Sequence, residues 1–324
     1  EACTTFLLSE DGQSRVAKSY DWEHEDGMLH HNPAGLRKQA LVLREGTSGV
    51  EWTSRYGSLT FNQYGREMPN GGINEAGLVV EIMWLNGAEW PAADDRPALN
   101  ELQWIQYQLD MYGSVEEMLA DAAQIRVEPI HGRVHYMACD SSGDCASLEY
   151  LEGELVIHHG ESLEVPVLTN HTYAQSIDHL RSQRGEVPSR DEGSLSRFQR
   201  AALRTTGDAS SDAAWAGLED VQWSRTQWQI VYDTQARSIQ FRTLDHPQIR
   251  SVTLSELDPS CTLGTRVLSL QSSLSGPVEH HFKPYDPAAN QALVQTGMDE
   301  LKVDLPPQLV PLIAHFHEDF SCTR

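Results

Sequence analysis

What this chain lacks narrows the field first. It has 324 residues and no uninterrupted run of eighteen apolar ones, so no segment is expected to cross a membrane as a helix. Positive charge is scarce: 24 Lys and Arg stand against 47 Asp and Glu, a net charge of −23. Nucleic-acid binding needs a basic stripe to neutralise phosphates, and none is visible, so nucleic acid is not an expected partner. The acidity is spread along the chain and reads as a solvated surface. Internal repeats, low-complexity tracts and linker-like stretches are all missing. One domain over residues 1–324 is therefore expected, although length alone suggests about two. No methionine opens the sequence, which begins Glu1-Ala2-Cys3. The expectation is a removed export signal and a periplasmic or secreted protein.

Cysteine is sparse, at five residues, and the odd number leaves at least one thiol unpaired. Cys139 and Cys145 flank the turn Asp140-Ser-Ser-Gly-Asp144, where adjacent strands can bring two side chains into bridging range. Cys261 and Cys322 are candidates for a second pair, which leaves Cys3 free. Two bridges fit an oxidising compartment. The histidine pairs His30-His31, His158-His159 and His280-His281 invite a metal reading. Neighbours on a strand point to opposite faces, however, so such pairs do not chelate together, and neither metal nor cofactor is expected.

What is present, at 40% hydrophobic residues, suffices for a sizeable core. Strand signals dominate early, at Thr4 to Leu8, Ala17 to Trp22, Ala40 to Leu43, Tyr56 to Phe61 and Gly77 to Trp84. The last is mostly apolar, as a strand covered on both faces would be. Leu102, Ile105 and Leu109 recur at helical spacing up to Gly113, and Ser114 with Glu117 forms a capping-box pattern before a second helix. Strands return from Gly132 to Ile157, with a hairpin at Glu152-Gly153. Residues 195 to 204 read as a helix, and 229–233 with 238–244 as a further hairpin. The segment Leu305 to Pro311 is punctuated by proline and is expected to pack as an irregular arm. This order predicts two sheets sandwiched between helix layers rather than repeated βαβ units.

The chemistry gathers at the amino end. A hairpin turning at Asp11-Gly12 sets Cys3 beside a strand carrying Lys18, Tyr20, Asp21 and Trp22. A thiol reacts as thiolate, so it needs nearby positive charge or a base. Lys18 offers positive potential, while Asp21 can orient an amine or the thiol. If Glu1-Ala2 are removed, Cys3 carries both a nucleophile and a base, since a free α-amine has a pKa of about 8.

These residues resemble a known family. Cys3-Thr4-x-Phe6, the Asp-Gly turn and Ala17-Lys-Ser-Tyr-Asp-Trp22 are similar to the choloylglycine hydrolases and penicillin V acylases, which are amino-terminal nucleophile hydrolases. The similarity continues through Gly71-Gly-Ile-Asn-Glu-Ala-Gly-Leu78, Val167-Leu-Thr-Asn170, Ser196-Arg-Phe-x-Arg-Ala201 and Gln240-Phe-Arg-Thr243, in family order. The resemblance implies an α+β fold, the four-layer αββα sandwich. It implies Cys3 as nucleophile, Asp21 as its partner, the Asn170 side chain and the Trp84 backbone N–H as oxyanion donors, and Arg197 as the charge near the nucleophile. It also implies a homo-oligomer, dimer or tetramer. Three departures stand out. Lys18 replaces a usual arginine and loses its planar fork. The segment from Asn170 to Arg197 is short beside Gram-positive members, whose tetramer it mediates. Glu1-Ala2 precede Cys3, and an acylated nitrogen is no base.

Trp22 and Trp84 suit an apolar or aromatic acyl group. Tryptophan at both places resembles the Gram-negative penicillin V acylases, which also cleave acyl-homoserine lactones. The expected substrate is thus a small-molecule amide of that type. Conjugated bile-salt hydrolysis is the alternative, acyl transfer a variant of the same chemistry, and a catalytically silent secreted binding protein the rival from another class.

Overall fold

The chain opens with a hairpin whose geometry follows from two residues. Asp11 and Gly12 both adopt left-handed φ, 49° and 78°, which is the two-residue loop that matches the natural twist of paired strands. Strand Ala2–Glu10 then pairs with Gln13–Asp21 in unbroken register from Ala2↔Asp21 to Glu10↔Gln13. Glu152 and Gly153 repeat the device, at φ 53° and 81°, between Cys145–Leu151 and Glu154–His159.

The computed structural model describes residues 2–301 and 306–323. Two large sheets form. The first runs Val167–Leu168, Ala2–Glu10, Gln13–Asp21, Thr226–Asp233, Ser238–Thr243, Arg250–Thr253, Gly276–Pro277. The second has Val134–Cys139, Val79–Trp84, Pro69–Asn74 and Ser58–Asn62 at its centre, flanked by Cys145–Leu151 and Glu154–His159 on one side and Met28–Asn32, Arg266–Ser269 and Lys283–Pro284 on the other. Ala2–Glu10 packs face to face on Val79–Trp84. Helices Ser194–Ala202 and Ser211–Val221 cover the outer face of the first sheet, and Gln103–Met111 that of the second. This is the expected αββα sandwich.

Strand alternation explains the apolar reading of Val79–Trp84. Val79 and Met83 enter the core shared with the first sheet, whereas Val80 and Ile82 join Trp104, Ile105 and Leu109 under the helix. Each such fully buried large side chain contributes about 1.5–3 kcal/mol. Glu81 lies on the same face as Val79 and Met83, so a carboxylate stands between the two sheets.

Some expectations need correction. The strand placed at Ala40 to Leu43 is instead Leu36–Gln39, because the Leu41 N–H goes to the Gln103 side chain at 2.7 Å and leaves the ladder. The Ser114 hydroxyl does accept from the Glu117 N–H, at 3.2 Å, but the Glu117 carboxylate takes the Gly113 N–H at 2.9 Å instead of returning to Ser114. The supposed irregular arm is helical over Leu309–His315. Pro311 falls in the first turn, where its missing N–H has no helical partner to lose. Leu305 lies outside the described residues. Helices Tyr173–Ser182, Ser211–Val221 and Pro287–Leu301 went unread. The first has a Thr172/Gln175 capping box that the sequence does display.

Cys139 is bonded to Cys145 and Cys261 to Cys322, and Cys3 is the free cysteine, buried. Among the described residues no helix is long and apolar enough to cross a membrane.

Candidate active site

Period-two alternation sorts the amino-terminal hairpin into two chemistries. Cys3 pairs with Tyr20 and Thr5 with Lys18, so these four side chains share the face toward the second sheet. Ala2 pairs with Asp21 and Thr4 with Ser19, which sends Asp21 and Ser19 toward the helix layer. Cys3 therefore has its thiol on one face of the hairpin and the carboxyl of Asp21 on the other.

That nitrogen donates to Asn170 Oδ1 at 2.9 Å, and Asn170 Nδ2 donates to the Trp84 carbonyl at 2.9 Å. Arg197 reaches in from helix Ser194–Ala202 and is 1% exposed. Its Nη1 donates to the Cys3 carbonyl at 2.8 Å and to Thr4 Oγ1 at 2.6 Å, and its Nη2 donates to Asn170 Oδ1 at 2.8 Å. Burial alone pulls Arg197 below the usual arginine value, while the neighbouring Asp21, Cys3 and Glu192 push back up. The guanidinium is thus a fork that locks the Cys3 backbone to Asn170.

Asp21 Oδ1 accepts from Thr226 Oγ1 at 2.6 Å and Ser19 Oγ at 2.7 Å. Its Oδ2 is buried, has no hydrogen-bond partner among the described residues, and lies 3.9 Å from Arg197 Nη1. Burial raises the Asp21 pKa, with Arg197, Thr226, Ser19 and Lys18 all working the other way. The Cys3 thiol is likewise pushed up by burial, opposed chiefly by the charge of Lys18 and further by the Asp21 backbone N–H and Arg197.

Lys18 itself is pinned between the sheets. Its ammonium pairs with Glu81 Oε2 at 3.2 Å, donates to the Ile82 carbonyl and meets Met83 Sδ at 3.4 Å. Tyr232 donates its hydroxyl to the other Glu81 oxygen. A side chain at Gly71 would overlap that carboxylate, so glycine on the facing strand is a condition for the pair. Burial raises Glu81, and Lys18 followed by Tyr232 pulls it back.

The Trp84 N–H is positioned by register. Trp84 pairs with Val134, and the Leu85 N–H bonds the Arg133 carbonyl at 2.9 Å, so alternation turns the Trp84 N–H away from that neighbouring strand. The Trp22 and Trp84 rings lie 5.8 Å apart at 46°. Both line an apolar cavity that includes Cys3 and extends past Met68 to Met298 and Ile313 of the C-terminal helices. Glu101, which also lines it, accepts the N–H groups of Ile130, His131 and Gly132 at 2.6–2.9 Å.

The fold thus brings together Cys3, Lys18, Asp21, Trp22, Trp84, Asn170 and Arg197, which the sequence singled out. It adds Glu81, Tyr232, Ser19 and Thr226, which went unread. The only signal for Glu81 was a carboxylate inside an apolar strand opposite a Gly-Gly pair.

A free thiol, amide donors and a buried guanidinium around Cys3, at the amino end of an αββα sandwich, define a class, the amino-terminal nucleophile hydrolases. Residues 3–206 match the family described as linear amide C–N hydrolases, choloylglycine hydrolase family, and the chain belongs to that family. Among relatives, a penicillin V acylase of Pectobacterium atrosepticum is 30% identical over 184 residues, 51% of this chain and 48% of that protein. The match thus spans about half the length of that relative. The structure of penicillin V acylase from Agrobacterium tumefaciens superposes with a TM-score of 0.78 at 25% identity, covering 88% of this chain and 98% of that one. A conjugated bile acid hydrolase variant from Clostridium perfringens shares the fold, at TM-score 0.69 and 16% identity over 84% of this chain and 98% of its own.

Proposed function

We propose that this chain hydrolyses the linear amide bond of small N-acyl compounds with an apolar or aromatic acyl group, as a penicillin V acylase does, with acyl-homoserine lactones a second substrate class. The observation that carries the reading is a free, buried Cys3 whose backbone is held by Asn170 and Arg197, with Asp21 beside that guanidinium, and which opens into an apolar cavity.

In this reading cleavage between Ala2 and Cys3 exposes the α-amine. Asp21 Oδ2, unpartnered among the described residues, then takes a hydrogen bond from it. The amine accepts the thiol proton, and the thiolate attacks the acyl carbon. Asn170 Nδ2 and the Trp84 N–H hold the oxyanion, a contribution of about 2.7–4 kcal/mol per donor. The protonated amine passes its proton to the leaving nitrogen, the C–N bond breaks, and a thioester remains on Cys3. Water, deprotonated by the same amine, attacks the thioester, the C–S bond breaks and the acid leaves. Lys18 favours the thiolate through its charge. Trp22, with Trp84, walls the acyl group. The two disulfides support an oxidising, periplasmic or secreted location.

The test is a substrate panel on protein shown by intact mass to begin at Cys3. Penicillin V or decanoyl-homoserine lactone should release free amine faster than glycocholate. No release from any of the three, by protein whose Cys3 alkylates stoichiometrically, overturns the proposal.

A further inference from the structure

Behind Asn170 lies a buried ionisable pair that the reaction above does not use. His135 on Val134–Cys139 and Glu149 on Cys145–Leu151 are both fully buried, with His135 Nδ1 2.8 Å from Glu149 Oε1. His135 Nε2 lies 2.8 Å from the Thr169 carbonyl, and Glu149 Oε1 also accepts the Tyr173 N–H at 2.9 Å. The two side chains therefore grip the backbone just before and just after Asn170.

The strand that carries His135 also sets the other half of the site. His135 pairs with Met83, and the adjoining Val134 with Trp84. The clamp thus ties the Asn170 segment to the strand whose Trp84 N–H is the second oxyanion donor. On the opposite side Ser194 Oγ accepts the Asn170 N–H at 2.9 Å and donates to Thr169 Oγ1 at 3.0 Å. We propose that His135 and Glu149 are positioning residues, which hold Asn170 at its distance from Trp84 through a single proton shared between them.

The shared proton follows from the acceptors. A carbonyl only accepts, and so does an ionised carboxylate, yet each faces one ring nitrogen at 2.8 Å. Either His135 donates from both nitrogens to an ionised Glu149, or a protonated Glu149 donates to Nδ1 while Nε2–H serves Thr169. Both forms hold the same proton and are neutral as a pair. Without it one ring lone pair would confront either the carboxylate or the Thr169 carbonyl inside the protein, and either is costly at low dielectric. The other groups facing the pair are His158, whose Nε2 is 3.9 Å from Glu149 Oε2, and Tyr173, whose ring lies 4.7 Å from that of His158. Glu149 Oε2 has no hydrogen-bond partner among the described residues.

This inference rests on the amide-hydrolase reading for its kinetic arm, and its structural arm is independent of it. Hydrogen exchange on the whole chain should show faster exchange in peptides covering residues 168–174 in Glu149→Gln and His135→Phe, while iodoacetamide still alkylates Cys3 at the parent rate. Unchanged exchange there in both variants overturns the clamp, whatever the protein hydrolyses. With an active substrate, kcat should fall by about 10²-fold, the order of losing one oxyanion donor, with KM within about twofold. A matching loss in KM with kcat intact overturns it. In Glu149→Gln the new amide carbonyl can accept from an imidazolium but supplies no proton. The activity ratio of Glu149→Gln to parent should therefore fall as pH rises. A flat ratio overturns the shared proton. Should either single variant not fold, the double variant His135→Gln/Glu149→Gln supplies a neutral amide pair. It should restore protection at 168–174 with a pH-independent ratio, and failure to do so counts against the proposal.

Discussion

Among the described residues two lysines are buried, and only one stands beside the thiol. Lys38 lies on the far side of the second sheet between Glu67 Oε2 and Asp110 Oδ2, each at 2.9 Å, with Trp52 and Gln106 completing the bonds of Asp110. Burial pulls Lys38 down, but Asp110 and Glu67 outweigh it and hold its pKa above the ordinary lysine value. Two carboxylates on one cation leave little field to project. Lys18 has one carboxylate, Glu81, and its remaining contacts are a carbonyl and a thioether. Its charge is the leading influence that lowers the neighbouring Cys3 thiol. The contrast teaches that burial of a lysine says nothing about function. The number of anions around it, and what lies across from them, decide whether it is a brace or an electrostatic tool.

The largest effect to test is on the shared reference point. Cys3→Ser should lower turnover by on the order of 10³-fold or more, because an alcohol is a far poorer nucleophile under the same base, and the melting temperature should hardly move. Cys139→Ser should leave turnover nearly intact, and equal losses in both would remove Cys3 from its proposed role.

Next comes Lys38→Met, which strands two buried carboxylates. A destabilisation of about 3–5 kcal/mol is expected by urea melts, with kcat per folded molecule unchanged. Lys18→Met should show the opposite emphasis. Glu81 loses its partner, so some stability is lost, but the informative change is a drop in kcat of about 10–100-fold. The alkylation rate of Cys3 should also climb only at higher pH than in the parent. If both lysine variants lose kcat alike, the comparison collapses.

The smallest effect belongs to any one of the buried histidines His30, His31 and His317. Burial, with Arg66 beside it, lowers His30 to about 3; burial and Arg266 lower His31 to about 4; burial, Arg66 and His30 lower His317 to about 2. Their folded pKa values lie below the unfolded value of about 6.5, so the unfolded chain binds protons first as pH falls. The stability they contribute is complete above pH 6.5 and drains away below it, at up to about 1.4 kcal/mol per pH unit for each. Chemical melts between pH 7 and 5 should show this slope, and His30→Gln should flatten it by about a third if all three act alike. A slope untouched by His30→Gln would sink this account.

The hairpin at Asp11-Gly12, the doubly covered strand Val79–Trp84 and the residues around Cys3 were all readable from local pattern. Turn chemistry, alternation and a run of motifs in order require no knowledge of distant contacts. Glu81, Tyr232, His135 and Glu149 were not readable in this way. In one dimension each is a polar residue in a strand, and its meaning depends on a partner as far as 151 residues away, as for Tyr232 and Glu81. The cavity wall at Met298 and Ile313 belongs to the same group, since an apolar helix face carries no mark of what it will cover.

By itself, then, the sequence determined the family, the sandwich and the identity of the thiol with its expected partners, because those rest on local preference and on motifs that occur in order. Only the tertiary structure decided that the Asp21 carboxyl lies on the opposite face of the hairpin from the Cys3 thiol, that Glu81 balances Lys18, and that a His–Glu pair stands behind Asn170. The physical reason is that hydrogen bonds and charge act over a few ångströms through space. Only folding fixes which groups come that close.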